Sequence, residues 1–174
     1  MYNNYPSVFE PLKVGNTTFK NRLQFPPMVC CLSNCMGEVT QEYVNFIEMQ
    51  AKTGVSLVTI GATPINRTTA LDYAGELNIS DDIMLPGLAR IATAAHDYGA
   101  KLSVEMCHGG RGANPDLLST PYALAPSNIP LPGKSRYVKE MDQHDIDDVV
   151  NEYADCADRL AKAGFDFCMV HAAH

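Results

Sequence analysis

Two histidines, His171 and His174, end the stretch MVHAAH, directly after the apolar run AGFDFCMV from Ala163 to Val170. Imidazole donates or accepts protons near neutral pH, and parallel α/β proteins gather functional side chains at C-terminal strand ends. The residues alone leave three readings open: a polar pair serving a ligand, a His-x-x-His metal pair, or histidines that simply end a strand. The metal reading is the weakest, because four-coordinate zinc would require further ligands nearby. Glu105 is a second candidate. It lies inside KLSVEMC (Lys101 to Cys107), between Val104 and Met106, and a carboxylate in an apolar strand is rarely accidental, since an unpaired buried charge is costly. His108 and Arg111, in CHGGR, follow that strand directly. Their position puts a positive group at the same mouth, for a cofactor or an acidic substrate, or leaves a solvated loop arginine. Lys134, Arg136 and Lys139 read as a charged, solvent-facing loop before they read as a carboxylate or CoA site.

Six cysteines raise a disulfide or metal possibility. Cys107 and Cys168 fall in strands and Cys156 in a helix, with no secretory signal, so a disulfide framework is not expected. Cys30, Cys31 and Cys35, in CCLSNC, fit no Cys-x-x-Cys ligand pair and read as reduced thiols. No metal site is expected. The sequons at Asn16, Asn66 and Asn78 carry no weight without secretion.

The chain has 174 residues, 46% hydrophobic, with a formal net charge of -7. That length supports one domain with a real core. The acidic balance argues against nucleic acid and anionic membranes as partners. MYNNYPSVFEP lacks the pattern of a signal peptide and no apolar run has transmembrane length, so the cytoplasm is the expected location.

The elements that must position these residues alternate. VFEPLKVGNTTFKNR reads as a hairpin turning at Gly15-Asn16. LQFPPM, from Leu23 to Met28, is a short strand stopped by prolines. Thr40 caps a helix to about Lys52, ended by Gly54. VSLVTIGA, from Val55 to Ala62, is apolar on both faces, as in a covered parallel strand. A loop of about twenty residues, a helix from about Leu85 to Tyr98 and the strand from Lys101 to Cys107 follow. His108 to about Met141 reads as one long functional loop. Asp142 then caps a helix whose apolar stripe is Ile146, Val149, Val150, Tyr153, Ala157, Leu160 and Ala161. FDFCMV is the fourth strand of the series. A hairpin followed by β-α-β-α-β-α-β, without Gly-x-Gly-x-x-Gly, predicts half of a (β/α) barrel rather than a dinucleotide-binding sheet.

FEPLKVGNTTFKNRLQFPPM, GEVTQEYVNFIEMQAKTGVSLVTIGAT, VEMCHGGR, the APS at Ala125 to Ser127 and AKAGFDFCMVHAAH stand in order across essentially the whole chain. Together they resemble the old yellow enzyme family, more narrowly its NADH:flavin oxidoreductase and 2,4-dienoyl-CoA reductase branch. The resemblance implies an FMN-containing TIM barrel that reduces activated C=C bonds of small unsaturated substrates with NAD(P)H. Residues 1–174 match the N-terminal half of that FMN-binding domain. On this resemblance Pro27 and Met28 lie against the flavin ring, and Gly61 and Ala62 are small where bulk would collide with it. Glu105 stands where many relatives carry a glutamine that pairs with the pyrimidine edge of the flavin; an acid there implies a lowered flavin potential. His171 and His174 match the pair that donates hydrogen bonds to the substrate oxygen. The family's tyrosine proton donor and phosphate-gripping loops correspond to positions beyond His174, and an iron-sulfur cluster and FAD belong only to longer relatives. A four-stranded half barrel also has open edges, so a homo-oligomer or a complementing half barrel is the expected partner. The alternative is a non-catalytic half-barrel module that binds no flavin alone.

Overall fold

Glycines and capping side chains set the element boundaries of this computed structural model, which describes residues 5–134 and 137–173. The hairpin forms from β1 (Leu12–Val14) and β2 (Thr17–Phe19), antiparallel about a turn in which Gly15 has φ +56°. A residue with a Cβ is disfavoured in that left-handed conformation. β3 (Gln24–Met28) contains both prolines, which do not stop it. It is an edge strand, where a missing backbone donor is tolerated.

Helix α1 (Gln41–Lys52) starts as the sequence predicts: the Thr40 hydroxyl accepts from the Tyr43 N–H and donates to the Leu32 carbonyl. Thr40→Ala removes both bonds. It is expected to destabilise the chain by about 1 kcal/mol, lowering the melting temperature by roughly 2–4 °C; a thermal melt followed by circular dichroism measures this. β4 (Leu57–Pro64) begins and ends two residues later than the sequence suggests. Helix α2 (Leu85–His96) follows a short 3-10 turn at Asp82–Met84, and β5 (Lys101–Cys107) lies where predicted.

The stretch from His108 to Met141 is not one irregular loop. It contains a 3-10 turn at Gly110–Gly112 and two short strands, β6 (Ala123–Ala125) and β7 (Val138–Glu140), which pair in parallel. Ala113, Ala123, Ala125 and Val138 form a small core of their own, with Leu118 packed against it. Strands of three residues, Ala-Leu-Ala and Val-Lys-Glu, are too short to carry a periodic signal, which is why the sequence hides them.

Helix α3 (Gln143–Lys162) opens with a capping box. Asp142 accepts from the Asp145 N–H while the Asp145 carboxylate accepts from the Asp142 N–H. Its predicted apolar stripe divides. Leu160 is buried and Val149, Tyr153 and Ala157 pack on the core, but Ile146, Val150 and Ala161 are exposed. Cys156, outside the predicted stripe, is buried instead. β8 (Phe167–Val170) completes the main sheet.

That sheet is parallel, in the order β3-β4-β5-β8. Val58, Ile60, Leu102, Val104 and Met106 meet Ile47, Leu88, Ile91 and Leu160 of the helices in one core. Alternation along the strands sends Thr59, Ser103 and Glu105 to the other face, where the Gln24 amide donates to the Thr59 hydroxyl. Phe19 of the hairpin stacks on Phe167, with centroids 5.6 Å apart, covering the N-terminal end of that inner face. The C-terminal ends of the strands form the opposite mouth.

Candidate active site

Two irregularities shape the mouth. The β3–β4 ladder shifts register between Phe25 and Met28, and the β4–β5 ladder shifts between Ile60 and Thr63. Such bulges re-aim backbone groups and favour active-site rims. The second carries Ala62, at φ +20°. Its N–H reaches inward to Glu105 Oε2 at 3.3 Å. Gly61 has a reason for being small within the chain itself: a Cβ there would lie 2.3–2.7 Å from the Met28 backbone.

Glu105 also receives His171. The ladder runs one step beyond β8, with the His171 N–H donating to the Met106 carbonyl. This places the His171 ring on the inner face, its Nδ1 2.9 Å from Glu105 Oε1. Both side chains are mostly shielded, 18% and 14% exposed. Thus β3, β4, β5 and the end of β8 bring Met28, Gly61, Ala62, Glu105 and His171 to one mouth. Pro27 is half-buried beside them on β3. His174 and Arg136 lie outside the described residues.

His108 does not act as a positive group at this mouth. Its Nδ1 accepts from the Gly110 N–H at 3.0 Å, so the neutral ring carries its proton on Nε2, which donates to Thr69 Oγ1 at 3.1 Å. The Thr69 hydroxyl in turn donates to Asn66 Oδ1, and Asn66 Nδ2 donates to Glu152 of α3. Burial pushes the imidazole down to about 4. His108 is therefore a neutral link in a relay joining the β5 end to the β4–α2 loop and to α3. Of the cations that follow, Arg111 and Lys134 are exposed, whereas Lys139 is bound by Asp145 at 2.7 Å, at the start of α3.

Glu76 is a candidate that only the structure reveals. It is 2% exposed, and its Oε2 accepts the N–H groups of Asp72 and Tyr73. Its Oε1 has no hydrogen-bond partner among the described residues. Burial raises its carboxyl to about 7, with a smaller push from Asp72, against the opposing backbone bonds and Arg67. No periodicity marks such a residue. Asn66 was legible at most as an Asx turn in NRTT, since it accepts from the N–H groups of Thr68 and Thr69.

The cysteines near the site are free thiols. Burial pushes Cys107 up to about 12 and raises Cys31 as well. Among the described residues, no group of three His, Cys, Asp or Glu side chains is placed to hold a metal ion. No helix among them is long and apolar enough to cross a membrane.

Comparison with known proteins agrees with this architecture. The model of the NADH:flavin oxidoreductase / NADH oxidase family matches residues 7–174. The chain is 29% identical over 170 residues to an NADH oxidase of Thermoanaerobacter brockii, covering 98% of this chain and 26% of that protein. It is 28% identical over 171 residues to an N,N-dimethylglycine/sarcosine dehydrogenase of Chromohalobacter salexigens, covering 98% and 25% respectively. The old yellow enzyme of Pichia sp. AKU4542 superposes with a TM-score of 0.88 at 27% identity, over 97% of this chain and 46% of that one. The chain thus spans about a quarter of the length of these curated relatives and about half of this barrel enzyme, and its four parallel strands are a half barrel. On the family match, the half-barrel fold and the ordered motifs, the chain belongs to the NADH:flavin oxidoreductase / NADH oxidase family.

Proposed function

We propose that this chain is the N-terminal half of the FMN-binding barrel of an NAD(P)H oxidoreductase that reduces activated C=C bonds of enoate, enone or enoyl-CoA-like substrates. One observation carries the reading: Glu105 and His171 meet at the mouth of a parallel sheet whose β3 and β4 ends are both bulged there. These residues fit one edge of the cofactor. A carboxylate offers about four lone-pair positions; Glu105 uses two, for Ala62 and His171, and keeps capacity for a ring N–H. Pro27, Met28, Gly61 and Ala62 would form the wall against the ring. No phosphate ligand is assigned among the described residues.

When bound, FMN supplies two-electron transfer from NAD(P)H to the unsaturated carbon. The chain's own contribution lies at the substrate oxygen, where His171 and His174 would hold the developing negative charge by hydrogen bonds. The test is an absorbance spectrum of the protein after FMN addition and gel filtration, followed by turnover of an enone. The expected result is a retained flavin band, with His171→Ala keeping that band while kcat falls roughly 10²–10³-fold, the usual cost of removing one oxyanion donor. Flavin retention with undiminished turnover in the variant would exclude His171 from this role.

A second reading, a non-catalytic half barrel that assembles with another chain and binds no flavin alone, is supported by the open flanks. β3 and β8 are edge strands, and Val170 on β8 and Val150 on α3 are 59% and 60% exposed. Exposed apolar edges favour association. Under this reading light scattering gives a mass above the monomer and the flavin band is lost on gel filtration.

A further inference from the structure

The contact between Glu105 and His171 fixes more than the position of a ring. Ala62 N–H donates to Glu105 Oε2, and the same carboxylate's Oε1 faces His171 Nδ1 at 2.9 Å. A carboxylate can only accept, so the proton in the second bond belongs to the imidazole, on Nδ1. A neutral imidazole carries one ring proton, and the nitrogen opposite is then a lone pair. We infer that Glu105 determines the tautomer of His171: the neutral ring is held with its proton on Nδ1, and its Nε2 is an acceptor rather than a donor.

This deepens the proposed function and rests on its reading of the mouth as the active site. A carbonyl oxygen requires a donor, so His171 serves it through Nε2 only when doubly protonated. The neutral ring presents only a lone pair at Nε2. Glu105 is in this sense a positioning residue that sets which ligand polarity the histidine accepts. A glutamine at the same place would do the opposite. With its amide oxygen held by the Ala62 N–H, its NH₂ group turns toward Nδ1 and forces the ring proton onto Nε2. The Glu-for-Gln exchange therefore inverts the polarity of the adjacent histidine, which charge alone would not reveal.

Among the described residues, few titratable groups surround this end of β5. On β5 and directly after it are Cys107 and His108, which burial pushes up to about 12 and down to about 4, so both are neutral near pH 7. From the β4–α2 loop come Glu76 and Asp72, each of which acts on Cys107. β4 contributes Gly61, Ala62 and Thr63, none of which titrates. On the β8 side stands Cys168; His174 lies outside the described residues. His108 provides an internal contrast, since Gly110 donates to its Nδ1 and its neutral proton is on Nε2. The two histidines are thus expected in opposite tautomers.

The experiment is long-range ¹H–¹⁵N correlation NMR of the ¹⁵N-labelled, flavin-free chain at alkaline pH. His171→Asn identifies the ring signals by their loss. The expected pattern is a protonated Nδ1 and a lone-pair Nε2 for His171, the reverse for His108, and a switch of His171 to the Nε2–H form in Glu105→Gln. A lone-pair Nδ1 on His171 in the unaltered chain overturns the inference outright, whether or not Glu105→Gln folds. An identical His171 tautomer in a folded Glu105→Gln also overturns it. Because no flavin is present, failure here is distinguishable from failure of the FMN reading, which the retained absorbance band decides separately.

Discussion

Glu76→Gln is expected to make the chain more stable than the unaltered protein at pH 8 while changing little near pH 4.5. The carboxyl of Glu76 is raised from 4.5 to about 7 because it is buried. The folded state therefore holds a proton that the unfolded state has released. The stability contributed by this group is fully present below the unfolded value and is lost as pH rises through the folded one. At 1.36 kcal/mol per pH unit the shift corresponds to on the order of 3 kcal/mol. The amide cannot ionise, so the variant escapes that loss, and it can still accept from the Asp72 and Tyr73 N–H groups.

The unaltered chain alone would not show this plainly, because His108 works in the opposite direction. Its folded value lies near 4, below the ordinary 6.5. Its contribution is present above 6.5 and is lost as pH falls through 4, again on the order of 3 kcal/mol. Between about pH 4.5 and 6.5 the two groups nearly cancel. Urea denaturation across pH 4.5–8 should thus give a shallow profile for the unaltered chain and a clear loss in acid for Glu76→Gln. A difference between the two proteins that stays constant with pH would show that folding does not raise the Glu76 carboxyl.

Gly61→Ala is expected to cost about 3 kcal/mol, at the upper end of overpacking effects. The added methyl would fall 2.3 Å from Met28 N, 2.5 Å from its carbonyl carbon and 2.7 Å from its Cα. These are backbone atoms, so no rotamer change relieves the clash, and the β3 edge must move away from β4. Gly15→Ala is the control. Its Cβ would meet nothing within 4 Å, and only its φ of +56° counts against it, about 1–2 kcal/mol. Urea midpoints at constant slope separate the two. If Gly61→Ala is as mild as Gly15→Ala, the close approach of β3 to β4 is not needed for the fold. Because that approach forms one wall of the mouth, Gly61→Ala should also weaken flavin retention in the surviving folded fraction.

The sequence by itself determined the order of the hairpin, the four parallel strands and the three helices between them, and it put the candidate site residues on those strands and just after their ends. Thr40, Gly54, Gly99, Asp142 and Gly164 act on their own few residues, through caps and positive φ, so their meaning is legible locally. The apolar strands from Leu57, Lys101 and Phe167 declare themselves by composition, and the motif resemblance placed them in a half barrel. Tertiary structure decided what no local rule encodes. Ile146 and Val150 satisfy helical periodicity as well as Leu160 does, yet they face outward, because burial depends on a neighbouring element and not on spacing. His108 and His171 are the same side chain at neighbouring strand ends. Residues distant in sequence, Thr69 for one and Glu105 for the other, together with the Gly110 N–H, set where each ring's proton is held. Glu76 stands out only once the loop around it has removed it from water. Proton positions and desolvation are properties of three-dimensional surroundings, so the sequence can name candidate residues but not the state in which the fold holds them.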